Sequence, residues 1–144
     1  LWNKELIHKG EYYLNNSAGG NQISTYHLEA AIAYWHTHKQ DTQEKWENIL
    51  QLYNKLLQVN YSPIAALNRT YALAKVMGAA IAIKEAEKLK LEQTLQYHML
   101  LGHLYAQVDL NTALSHLKTA ENLTKRESEK RLLADLQIKL QHLP

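Results

Sequence analysis

The chain has 144 residues, 46% of them hydrophobic and 21% charged, with 16 Lys and Arg against 14 Asp and Glu and no Cys. A chain of this length buries roughly two-thirds of its unfolded surface as one domain, with no need of a metal or disulfide staple. Five Gly, two Pro, nine Tyr and no Phe leave few turn signals and argue against an all-β fold, and a net charge of +2 argues against a dedicated phosphate-binding surface.

Apolar residues recur at helical spacing along almost the whole chain, and eight helices are expected. The first runs from Trp2 to Leu14 and stops at the polar loop Asn15 to Asn21. The second spans Ser24 to His38, and the third Gln43 to Val59 after a break at Lys39 to Thr42. Ser62 as N-cap with Pro63 in the first turn starts the fourth, which ends near Met77 and Gly78. The fifth covers Ala79 to Leu89, the sixth Glu92 to Val108 and the seventh Asn111 to Leu123 after a turn at Asp109 and Leu110. The eighth runs from Arg126 to His142. The longest apolar run, Val76 to Ile83, is far short of the about 18 residues of a membrane span. The start at Leu1-Trp2-Asn3-Lys4, without Met or an apolar leader, reads as a piece of a longer chain, and the absence of Cys fits a cytoplasmic setting.

Short turns between helices of similar length make antiparallel hairpins, and an internal period accompanies them. Leu67-Asn68-Arg69-Thr70-Tyr71 and Leu101-Gly102-His103-Leu104-Tyr105 lie 34 residues apart, as do Ala86 and Ala120, and Ala30 to Tyr34 aligns after a longer loop. The expectation is an all-α, tetratricopeptide-like right-handed superhelix of antiparallel hairpins forming one domain over 1–144. A small residue at Ala31, Asn68 or Gly102 would let the partner helix approach, and the Tyr three residues on would fill the gap.

Catalytic and metal chemistry have no support in the sequence. His36 and His38 diverge by about 200° on a helix, and His98 and His103 diverge as well. No nucleophile elbow or phosphate loop is present, and Glu85 and Glu87 read as a solvated helix face. Neither an enzyme nor a cofactor is expected. A hairpin array offers instead a groove lined by the first helix of each unit, and the register assigns to it Glu29, Trp35, His36, Arg69, Met99 and His103 as partner-binding residues. Arg69 would either pair internally with Glu29 or anchor a partner's carboxylate.

The run Tyr26-His27-Leu28-Glu29-Ala30-Ala31-Ile32-Ala33, the spaced Trp46, Ile49, Leu52, Tyr53, Leu56 and Leu57, and Ser62-Pro63-Ile64 with Leu67-Asn68-Arg69 resemble the C-terminal extension of a group of bacterial extracytoplasmic-function RNA polymerase sigma factors. Trp2, Leu6, Ile7 and Gly10 at the start, and Glu129, Arg131 and Leu133 near the end, extend the resemblance over nearly the whole chain. It implies a helical, tetratricopeptide-like domain that controls sigma activity in transcription initiation. The implied partners are the parent sigma domains, RNA polymerase or a regulator protein. DNA would be contacted only through sigma domains outside this chain, and no membrane is involved. The alternatives are a freestanding peptide-binding scaffold and a small-ligand sensor. The polar loops at 15–22 and 39–43 depart from the family's longer or Pro-richer connections.

Overall fold

The computed structural model describes residues 21–142, which hold seven α-helices and no strand. These correspond to seven of the eight expected helices; the segment Trp2 to Leu14 lies outside the described residues. The chain divides into two compact units, Leu1–Val76 and Met77–Pro144.

In the first unit α1 (Asn21–His36) buries Leu28, Ala31, Ile32 and Trp35, a stripe at spacings of three and four that faces α2 (Gln43–Val59). Helix α1 begins three residues before the expected Ser24, whose side chain is fully buried. It ends where Thr37 turns back on Tyr34, with Thr37 N–H and Oγ1 donating to the Tyr34 carbonyl at 3.1 and 2.6 Å. Thr42 caps α2 by accepting from Lys45 N–H at 3.2 Å, and Trp46, Ile49, Leu50, Leu52 and Leu56 form its inner face. Helix α3 (Pro63–Met77) starts as the sequence predicts: Ser62 Oγ accepts from Ala65 N–H at 3.3 Å, and Pro63 occupies the first helical position, where no N–H is needed. Its buried residues are Ala66, Leu67, Thr70, Ala72 and Leu73.

In the second unit α4 (Ala79–Lys88) follows Gly78, whose φ of 100° is closed to most L side chains. Helix α5 (Leu95–Tyr105) is shorter than the expected Glu92 to Val108. A Leu91–Thr94 turn precedes it, Thr94 then caps it, and the N–H groups of Val108 and Asp109 both fold back onto the Tyr105 carbonyl. Asp109 caps α6 (Leu110–Leu123), and α7 (Glu127–Gln141) carries Glu127 and Glu129 in its first turn, where carboxylates complement the helix dipole. Within this unit α5 packs on α4, α6 on α5 and α7 on α6. The core joins Leu101 and Leu104 of α5 to Ala113, Leu117 and Ala120 of α6, and Leu133 of α7 closes over Leu117 and Ala120.

The close approach assigned to Gly102 is present. A methyl group there would meet Leu117 Cδ2 at 2.7 Å and Cγ at 2.9 Å. Asn68, its counterpart 34 residues earlier, is exposed.

Candidate functional site

Two connected depressions open on the first unit, with volumes of about 330 and 240 Å³. His36, Tyr53 and Asn68 belong to both. The larger runs over Glu29, Ile32 and Ala33 of α1 and over Ile64 and Ala65 of α3; the smaller ends on Trp46 and Tyr71. Helix geometry explains the α1 contribution, since positions 29, 32, 33 and 36 share a stripe at about 100° per residue. Glu29 is the one carboxylate among the lining residues. Burial and the neighbouring Lys45 ammonium both push the His36 imidazole below its ordinary proton affinity. Burial and the Glu29 charge raise the Tyr53 phenol.

Of the six residues the sequence assigns to a groove, Glu29 and His36 line this one. Trp35 does not. One residue before His36 and therefore about 100° around the helix, it turns into the core at 6% exposure and lines a separate depression with Tyr34, His38 and Thr42. Arg69 is likewise one position past Asn68. Its Nε donates to Asn54 Oδ1 of α2 at 2.6 Å, so its partner is Asn54, not Glu29. Met99 and His103 belong to the second unit. Met99 packs against the Leu117, Ala120 and Leu133 cluster, and His103 is an exposed residue of α5. Asn68 and Tyr53 line the groove although the sequence register did not assign them to it; one position of helical phase separates Asn68 from Arg69.

The aromatic end of the groove is held by a polar cluster. Trp46 Nε1 donates to Asp41, and Lys75 bridges to the same carboxylate at 3.0 Å while its ammonium lies 5.6 Å from the ring centroids of both Trp46 and Tyr71. These bonds keep Asp41 below the usual carboxylate range and raise Lys75. Lys45, almost fully buried, donates to the His38 carbonyl at 2.7 Å and closes the α1–α2 turn.

The second unit holds a constellation that sequence reading missed. His98 Nδ1 and His116 Nδ1 are 2.9 Å apart across α5 and α6, and His98 Nε2 is 2.8 Å from the Glu92 carbonyl. Tyr105 stacks on His116 with centroids 5.5 Å apart, and its hydroxyl donates to Glu87 at 2.8 Å. Burial, then that bond to a carboxylate, push Tyr105 up to about 12. Glu87 is thus tied to a phenol and is not merely part of a solvated face. Among the described residues no three His, Asp or Glu come together in a way that could hold a metal ion, and no helix is long and apolar enough to cross a membrane.

No family model matches the chain, and no solved structure matches it. Over 111 residues it is 32% identical to the uncharacterized protein R00370 of Rhizobium meliloti (strain 1021), an alignment that covers 75% of this chain and 26% of that protein. The chain therefore spans about a quarter of the length of the relative it matches.

Proposed function

We propose that this chain is a regulatory, protein-interaction domain of a cytoplasmic extracytoplasmic-function sigma factor, arranged as a tetratricopeptide-like superhelix and acting without catalysis or cofactor in transcription initiation. The observation that carries the interaction role is the open groove on the first unit. Its walls come from α1, α2 and α3, and its lining mixes apolar floor residues with Glu29, His36, Tyr53 and Asn68. The sigma-factor assignment rests on the ordered blocks from Tyr26 to Arg69, and the contacts made would be with the parent sigma domains, polymerase or a regulator. A small-ligand sensor is the second reading, favoured by the volume of about 330 Å³, within the range of small-molecule sites.

The test is promoter-dependent transcription by the complete parent protein with core polymerase, wild type beside Glu29→Arg and Asn68→Ala. Both positions are exposed, so the variants are expected to fold. The expected outcome is altered transcription with unchanged thermal unfolding. A parent that supports no initiation rejects the sigma-factor assignment, and wild-type transcription by both variants removes the groove from it.

A further inference from the structure

The two imidazoles in the second unit obey a proton count that their partners dictate. A carbonyl only accepts, so His98 Nε2 facing the Glu92 carbonyl carries a hydrogen. The 2.9 Å between the two Nδ1 atoms has room for one hydrogen, donated by one ring and accepted by the other. With His116 Nε2 bare, that hydrogen sits on His116 Nδ1 and both rings are neutral. When His116 Nε2 takes a proton the pair carries one positive charge and still shares a single hydrogen between the Nδ1 atoms. A second added proton must place hydrogens on both Nδ1 atoms, pointing at each other, and two cations in one half-buried site.

We propose that the His98–His116 pair is a proton-operated latch on the α5–α6 seam, which holds with no charge or one charge and releases when both rings are protonated. The seam behind it contains Leu101, Gly102 and Leu104 against Ala113 and Leu117, so release exposes the core of this unit. His98 itself is only 8% exposed and bridges three pieces of chain: the loop at Glu92, α5 and α6.

The surroundings set the sign. From α4, Glu87 faces His116 and favours its charged form; burial and His98 oppose this and prevail, leaving His116 below its ordinary value of 6.5. From α5 come the neutral rings of Tyr97 and Tyr105 and, further along, the exposed His103; Asp109, the cap of α6, acts on Tyr105. Helix α7 meets α6 through Leu133 and through Gln137, which donates to Glu121. A base with a depressed folded value contributes stability that is complete above its unfolded value and lost as pH falls below it. The first proton, taken by His116, therefore begins to weaken the site only as pH falls below 6.5, and the second, which sets hydrogens on both Nδ1 atoms against each other, releases the latch at lower pH.

Hydrogen exchange of the full chain tests this, read by mass spectrometry at about pH 7.5 and about pH 5 after correction for the intrinsic rate, on either side of an ordinary histidine. In the wild type, protection of α5 and α6 is expected to fall about tenfold or more on acidification. In His116→Gln, which keeps hydrogen-bonding atoms but does not titrate, most of that fall should vanish. An equal fall in both proteins, or none in the wild type, overturns the latch. Should the variant fail to fold, nitrogen NMR of the wild-type imidazoles decides: two well-separated protonation steps support the pair, and two coincident ordinary titrations overturn it.

Discussion

Two glycines of the second unit are constrained for opposite reasons, and substitution separates them. Gly102 has ordinary helical backbone but no room, so Gly102→Leu should destabilise by about 1–3 kcal/mol through overpacking against Leu117. Gly78 has room but the wrong backbone: nothing lies within 4 Å of where its Cβ would be, while its φ of 100° and ψ of 157° belong to a region that is essentially glycine's alone. Gly78→Ala should cost on the order of 1–3 kcal/mol by strain. Urea midpoints of the two variants check both, and a further Leu117→Ala change should relieve the first and leave the second untouched. Arg69 offers a third residue-scale test. Because it donates to Asn54, Asn54→Leu should lower stability by about 1 kcal/mol. The exchange of Glu29→Arg with Arg69→Glu should restore nothing, as measured by a double-mutant cycle in thermal unfolding.

Among the described helices, α7 buries the fewest residues: Leu133 is its one fully buried residue, with Leu136 and Leu140 partly covered around it. Leu133→Ala should cost about 2–5 kcal/mol and free the helix, so that limited proteolysis cuts first beyond residue 126. The elements themselves were legible because their signals are local. Ser62 with Pro63, the Asp109 turn and the period-3.6 stripes each lie within one or two turns of chain. The site was less so. His98 and His116 are 18 residues apart and Arg69 and Asn54 are 15 apart, so each pairing depends on how two helices are rotated against each other. An error of one position in that rotation is about 100°, enough to add Trp35 beside His36 and to exchange Arg69 for Asn68 at the groove while leaving every helix in place.

At the scale of the whole molecule, the interleaving of charge decides what the chain can meet. Among the described residues Lys88 pairs with Glu85, Lys118 with Glu121 and Lys130 with Glu127, each within one helical turn, so opposite charges interleave along the helices of the second unit, and the net charge of the chain is only +2. Binding to duplex DNA depends on several simultaneous phosphate contacts, so fluorescence anisotropy at physiological salt should show no sub-micromolar affinity for random or promoter-like duplexes. A steep salt slope with tight binding would contradict this. The neighbour-on-neighbour packing of α4 to α7 has a mechanical consequence as well. A chain whose helices each lean on the preceding one has no single clasp to break under tension. Pulled from its C-terminal end, the second unit should come apart as a peel: α7 leaves first, α6 next, and the seam at Gly102 gives way only when its own turn arrives.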